Sequence, residues 1–290
     1  MEVISGLRKE MMFFLRGGRF AIVLVVMIAL AVMSPLLFGA MSSMMTAMKD
    51  AVPDGTYSEL ADEFTSFSAA DISMYNVEYI VSYGSIIMLF ILKGAAGGEQ
   101  KKRSVIIPQC SGLTPERFAL PKYLLYPFTV FLVSFLAVLL GSWTAGIMFP
   151  GSLDWSMIAL SAACSGVFLA FSTCMQLCVG ISTGKPNIAI IIVLAMQMFL
   201  PTLLGIFRVD RFNPLSLSSI ALSAARASGE STSSLMAAIE QTSSSTNDLS
   251  FLNIVVSLGT AIVISTLLYF VTIFALHTKE VHNEGNEPVL

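Results

Sequence analysis

The stretch FAIVLVVMIALAVMSPLLFGA, Phe20 to Ala40, contains 21 residues and no charge. A helix needs about 20 mainly apolar residues to cross the hydrocarbon core of a bilayer. Within lipid, such a run must satisfy its own backbone hydrogen bonds, which a helix does and an open loop does not. The stretch therefore predicts a membrane-spanning helix.

Five further runs of this kind follow along the chain, and none has Asp or Glu in its central part. The six predicted spans are 20–40, 77–96, 121–149, 155–182, 187–207 and 250–276. They predict an all-α membrane protein with one transmembrane domain over residues 1–290. The third run is longer than a perpendicular helix requires, so we expect it to tilt or to extend out of the membrane.

The composition also favours a membrane protein. Of the 290 residues, 55% are hydrophobic and 12% are charged, whereas about a quarter are charged in a soluble domain. The mean hydropathy is +0.79. The lipid bilayer is the expected surrounding, and no nucleic acid is expected as a partner. Three of the four cysteines lie in one apolar run, so no disulfide framework is predicted. Cys174 and Cys178 are interpreted as packing residues.

Lys and Arg are concentrated in short cytoplasmic loops of membrane proteins. With both termini on the same side, 12 cations lie on that side and 4 on the other, while the acidic residues divide 7 to 12 in the opposite sense. This distribution predicts cytoplasmic termini in a multi-pass protein of a cell (plasma) membrane, expected to be prokaryotic. Cleavage of the first span as a signal peptide is not expected, because it would break the alternation of charge.

Residues 1–19 have helical periodicity of their own. At 100° per residue, the apolar side chains fall on one arc and the cations on the opposite one. The apolar arc includes Leu7, Met11 and Phe14, and the basic arc includes Arg8, Lys9 and Arg16. This pattern predicts an amphipathic interfacial helix along the inner membrane surface. The alternative is a disordered basic leader that only sets topology.

Two longer segments are predicted to lie outside. Residues 41–76 are acidic and place Tyr57, Leu60, Phe64 and Phe67 at helical spacing, which favours a short surface helix. Residues 208–249 are rich in Ser and Ala, and SIALSAA and SLMAAIEQ favour short helices that enter the outer leaflet. A flexible polar loop is the alternative for 208–249.

A nucleotide site is not predicted on this chain. The nearest candidate, VGISTGKPN, has Val179 and Pro186 where a phosphate-binding loop needs Gly and Ser or Thr. We therefore expect neither an enzyme nor a cofactor on this chain. No acidic residue in the predicted spans offers a proton relay. Gln176, Gln197 and Asn187 are predicted to hydrogen-bond neighbouring helices.

The segment GEQKKRSVIIPQCSGLTPERFALPKY, Gly98 to Tyr123, is the most polar passage between two spans. A topology role alone accounts for its number of cations. It does not account for their order: an acid closes the span, cations and a short apolar run follow, and a Gly-Leu-Thr-Pro turn leads back into the membrane.

That order resembles the membrane-spanning subunits of ABC-2-type transporters. Their second span ends in Glu, and a short cytoplasmic helix, a turn with Arg and a Lys opening the third span follow. The residues in the matching places here are Glu99, Ser104, Val105, Gly112, Leu113, Thr114, Arg117 and Lys122. The resemblance implies that Glu99, Ser104, Val105, Arg117 and Lys122, together with the cations Lys101, Lys102 and Arg103, couple the chain to an ATPase. Arg103 and Gly112 stand where that family usually has Gly and Pro. The segment FNPLSL after the fifth span is also similar.

The resemblance implies an ABC-2 exporter fold in which residues 97–120 form a cytoplasmic coupling loop. Two separate ATPase subunits would carry ATP and Mg, and a second permease copy or a related chain would complete the complex. The implied substrate is amphipathic: a lipid, drug or peptide. The alternative is a membrane anchor or sensor that recruits a cytosolic partner through the basic loop. An ion-coupled carrier is disfavoured because the sequence offers no buried carboxylate in the predicted spans.

Overall fold

A computed structural model describes residues 2–51, 66–98, 114–206, 213–229 and 251–284. Within these ranges every regular element is helical. The α-helices are α1 (Glu2–Arg16), α2 (Arg19–Ala51), α3 (Ala69–Tyr79), α4 (Ser85–Leu92), α5 (Pro115–Met148), α6 (Trp155–Thr183), α7 (Pro186–Ile206), α8 (Leu217–Arg226) and α9 (Phe251–Glu284). A π-helical turn, Ile80–Gly84, joins α3 to α4, and a 3₁₀ turn, Pro214–Ser216, precedes α8.

Six helical segments are long and apolar enough to cross a membrane, as the sequence predicts. The second of them is the continuous segment Ala69–Leu92, which we call the second span. The other five are α2, α5, α6, α7 and α9. The chain is thus a multi-pass helical membrane protein.

The second span begins eight residues before its predicted start at residue 77. Ser68 caps the helix: its hydroxyl accepts the N–H of Asp71 at 3.3 Å, while the Asp71 carboxylate accepts the N–H of Ser68 at 3.0 Å. This capping box satisfies two backbone donors that the helix leaves open. Polar residues in the first turns lower the local hydropathy, so a search for apolar runs places the start of this span too late.

The earlier start corrects the expectation that no Asp or Glu lies in the central part of a span and that none is buried. Asp71 and Glu78 both belong to the second span. Asp71 is buried and serves the cap. Glu78 is exposed on the side of the helix. The absence of carboxylates therefore no longer counts against an ion-coupled carrier.

The third span is longer than a perpendicular helix requires, as predicted, while its tilt or its extension out of the membrane stays a prediction. α5 has 34 residues, which is about 51 Å of helix against a hydrocarbon core of about 30 Å. Pro115 occupies the first turn, where its missing N–H costs no hydrogen bond. Pro121 and Pro127 lie inside the helix and leave the carbonyl groups one turn earlier without their usual donors.

α6 is the central helix of the bundle. Its apolar window is 67% buried, whereas that of α9 is 11% buried. Polar side chains join it to its neighbours as predicted: Gln176 donates to the carbonyl of Leu89, and Gln197 of α7 donates to the Ser172 hydroxyl at 2.8 Å. Leu89 is among the last four residues of α4, whose carbonyls have no intrahelical donor. Asn187 is exposed instead.

The helix predicted at SIALSAA is present as α8. Its apolar face is buried against α6, where the Ser161 hydroxyl donates to the carbonyl of Ala221 at 2.7 Å. Ser161 lies six residues into α6, so α8 reaches about 9 Å along it. SLMAAIEQ and residues 52–65, with Tyr57, Leu60 and Phe64, lie outside the described residues.

The bundle has two chemically different ends. One end carries α1 and most of the described cations, and we call it the basic end. Its cations are Arg8, Lys9 and Arg16 of α1, Arg19, Lys93, Arg117, Lys122 and Lys185. The loop between α5 and α6 lies at the opposite end, where the carbonyl of Pro150 accepts the N–H of Ala69 at 2.9 Å. The last part of α9 returns to the basic end, since Thr272 lies 2.7 Å from the Tyr123 hydroxyl.

Candidate functional site

A buried ion pair attaches the N-terminal helix to the third span. The Lys122 ammonium lies 3.1 Å from the Glu10 carboxylate, and their side chains are 1% and 8% exposed. The Tyr126 hydroxyl, one turn further along α5, donates to the second Glu10 oxygen at 3.2 Å. The ammonium also lies 4.9 Å from the centre of the Phe118 ring. We call Glu10, Lys122 and Tyr126 the α1–α5 clamp.

Aromatic packing supports the clamp. Phe14, one turn after Glu10, makes edge-to-face contacts with Tyr126 at 5.2 Å and with Phe20 at 5.9 Å between ring centres. Gly6 lies so close to α5 that a Cβ there would be 3.1 Å from Pro121 Cγ. α1 is therefore packed along the start of α5 through one edge of its apolar arc.

The structure revises the predicted orientation of α1. Phe14 was expected to face the acyl chains, but it is 2% exposed inside the protein. Leu7 is half-buried on the same side. Met11 remains exposed, as do Arg8, Lys9 and Arg16. The helix itself is confirmed, and its position at a membrane surface stays a prediction.

Backbone contact fixes the end of the second span to α6. A Cβ on Gly97 would lie 2.6 Å from the carbonyl oxygen of Gly180, and a Cβ on Gly180 would collide with the carbonyl of Ala96. Gly97 also has φ +135°, a backbone conformation that glycine adopts readily and that residues with a Cβ disfavour. We call Ala96, Gly97 and Gly180 the glycine contact. It holds the chain at the point where the predicted coupling loop begins.

Arg19 fills the space between these two attachments. It follows the turn at Gly17 and Gly18, and its guanidinium lies 5.0 Å from the centre of the Phe13 ring. A Cβ on Gly94 would lie 2.6 Å from Arg19 Nη2. The start of α2 is thus packed against the segment that leaves α4.

The predicted coupling residues have different environments where they are described. Arg117 is exposed on the first turn of α5. Lys122 is buried in the α1–α5 clamp, so in this conformation it contacts Glu10 and not the surface. Their coupling roles stay predictions. The remaining residues of that set, which lie outside the described residues, are Glu99, Lys101, Lys102, Arg103, Ser104 and Val105.

Sequence reasoning missed Glu10 and Tyr126. Glu10 follows Leu7 by three residues and precedes Phe14 by four, so it lies at the margin of the apolar arc. A carboxylate there, together with a lysine at the start of an apolar run, is the signal that would have indicated the pair. Tyr126, four residues after Lys122, lies on the same face of α5.

A second polar feature lies away from the basic end. One side of the second span carries Tyr75, Glu78, Tyr79, Ser82 and Tyr83, which we call the second-span polar face. Glu78 and Ser82 are exposed, Tyr83 is 52% exposed, and the rings of Tyr79 and Tyr83 are tilted against each other with their centres 5.6 Å apart. The π-helical turn begins directly after Tyr79. Such turns are frequent at functional sites.

Comparisons with known proteins add no family to these observations. The chain matches no protein-family model, no curated protein and no solved structure. What the chain itself establishes is a helical membrane protein with six candidate spans, a basic end joined by the α1–α5 clamp, and a carboxylate on the side of its second span.

Proposed function

We propose that this chain is the permease subunit of an ATP-driven exporter of the ABC-2 type. Two copies, or one copy and a related chain, would work with two separate ATPase subunits that bind ATP and Mg. The observation that supports it best is the attachment of α1 to the start of α5 by the buried clamp, at the end of the bundle where the second span also ends. These are the elements between which the resemblance places the motor contact.

The contacts at the basic end suit the transmission of a mechanical force. The predicted coupling loop leaves the second span at the glycine contact and returns to the bundle at the start of α5. α5 is attached to α1 through the buried clamp. A partner that displaces this loop would therefore move α4, α5, α6 and α1 together, because closely packed elements transmit strain.

Copurification tests the proposal. The chain is expressed together with its genomic neighbours and purified in mild detergent, and an ATPase is expected to copurify with it in equal amounts. ATP turnover in reconstituted vesicles is expected to depend on the chain. Replacing Lys101, Lys102 and Arg103 together by Glu is expected to lower this turnover at least tenfold without loss of membrane insertion.

The matched control is Lys185→Glu, a charge reversal in the neighbouring α6–α7 turn, which is expected to leave ATP turnover within about twofold. Loss of insertion in the triple variant would mean that the cations only set topology. A partner without ATPase activity, bound through the same loop, would instead indicate an anchor or sensor.

A further inference from the structure

Glu78 lies at a depth where a charge is unusual. It precedes Leu92 by 14 residues, which is about 21 Å of helix, and Lys93 follows directly at the basic end. With a hydrocarbon core of about 30 Å, the carboxylate belongs to the half of the membrane nearer the opposite end. Charged groups within spans almost always face a protein interior or a water-filled cavity, and they mark the routes of substrates.

Glu78 does not pack inside the helical bundle. Its side chain is exposed on the outside of the single chain, and within the described part of the chain it has no hydrogen-bond or ion-pair partner. Asp71 is committed to the cap with Ser68. Arg226 acts electrostatically on Tyr75, as Asp71 and Glu78 do, and it has contacts of its own.

The neighbours of Glu78 restrict what it can bind. Tyr79 and Tyr83 accompany a single carboxylate and present neighbouring rings, whereas the Tyr75 ring is stacked on Phe38 of α2. Divalent metal ions such as Mg²⁺ and Ca²⁺ require about six oxygen ligands, which this face does not supply. An aromatic face attracts an organic cation through its ring quadrupole, most strongly where water is excluded.

We propose that the second-span polar face binds an amphipathic organic cation, with Glu78 opposing its charge and Tyr79 and Tyr83 stacking on it. Ser82 lies on the same face, one turn after Glu78. As the substrate class of an exporter, this assignment rests on the proposed function. As a binding site on this chain, it does not.

The test uses two probes of the same shape and opposite charge: tetraphenylphosphonium and tetraphenylborate. Binding of each to the purified full-length chain in lipid nanodiscs is measured at equilibrium. The cation is expected to bind at least tenfold more tightly than the anion. Glu78→Gln is expected to weaken binding of the cation at least tenfold and to leave binding of the anion unchanged.

Tyrosine variants separate stacking from hydrogen bonding. Tyr83→Phe retains the ring and is expected to bind the cation within about twofold of the parent chain. Tyr83→Leu is expected to bind it at least fivefold more weakly. The control Asp154→Asn removes an exposed carboxylate in the loop before α6, and unchanged binding of the cation is expected.

Equal affinity for both probes, or unchanged affinity for the cation in Glu78→Gln, would overturn the assignment. So would a change in oligomeric state alone, because Glu78 would then belong to a contact between copies. These measurements require no ATPase. If the chain binds the cation but recruits no ATPase, the proposed function is refuted and the binding site is retained.

Discussion

Lys122 and Glu10 form an ion pair in surroundings where neither charge would be stable alone. Both side chains are more than nine-tenths buried, and Tyr126 supplies a further donor to the carboxylate. Taking two charges out of water opposes their attraction, so the pair contributes less to stability than its short distance implies. We expect its stronger effect to be on specificity, because an α1 shifted by one turn would leave the buried Lys122 without its partner.

Removing one member of the pair is therefore expected to cost more than removing both. Glu10→Leu leaves the Lys122 charge buried without its partner, which is expected to destabilise the chain by about 3–5 kcal/mol. The double variant Glu10→Leu, Lys122→Met is expected to recover at least half of this loss. Unfolding in mild detergent with increasing denaturant measures Glu10→Leu, Lys122→Met and the double variant.

Lys9→Met is the matched control, because Lys9 is the exposed neighbour of Glu10. Its effect is expected to stay within about 0.5 kcal/mol, as is usual for surface substitutions. If the effects of Glu10→Leu and Lys122→Met simply add, the two residues act independently and the clamp does not exist.

The helices differ in how readily the sequence predicted them. α6 and α7 are continuous apolar runs, and their predicted boundaries lie within one residue of the observed ones. α2 begins one residue before its predicted start but continues to Ala51, 11 residues beyond its predicted end. The second span was misplaced because its first turns contain Asp71, Asn76 and Glu78, which depress hydropathy although the capping box starts the helix. A span that begins with polar residues is recognised only from the structure, which shows that Asp71 and Asn76 are buried against other elements.

The candidate site was predictable to a similar degree. The order of the cations drew attention to Arg117 and Lys122, which lie in the first turns of α5, although the third span was predicted to start only at residue 121 and α5 starts at Pro115. The glycine contact was not predictable, because Gly97 and Gly180 are 83 positions apart and nothing local shows that their backbones meet. Asn76 is comparable: it is fully buried beside Gly141 of α5, where a Cβ would collide with its amide.

Two adjacent glycines allow the glycine contact to be tested. Gly97→Ala adds a methyl group 2.6 Å from the Gly180 carbonyl at φ +135°, so it is expected to destabilise the end of the second span by about 2 kcal/mol. Gly98→Ala meets nothing within 4 Å and is expected to be nearly neutral. Limited trypsin cleavage at Lys101 to Arg103 measures the difference, with faster cleavage expected in Gly97→Ala only.

Equal cleavage rates in the two variants would contradict the close approach of Gly97 to α6. Faster cleavage in both would indicate that the loop responds to any added side chain. The comparison is well matched, because the two substitutions add the same methyl group one residue apart.

Across the whole molecule, the charge differs between the two ends of the bundle. The described cations lie mainly at the basic end, and the loop at the opposite end carries Asp154. The pKa of Asp154 lies below its usual range because Ser156 donates from both its hydroxyl and its N–H. Such an asymmetry orients a bundle, since positively charged segments remain in the cytoplasm. The two ends are consequently expected to face different compartments, with α1 inside.

Cysteine labelling tests this orientation directly. In a Cys110→Ser background, Lys9→Cys marks the basic end and Ser152→Cys the opposite end; both positions are exposed, and the three remaining cysteines are buried. A membrane-impermeant maleimide is expected to label Ser152→Cys in intact cells and Lys9→Cys only after permeabilisation. The reverse pattern would place the basic loop outside, where no ATP-driven motor could reach it. Labelling of both in intact cells would contradict a bundle whose ends face different compartments.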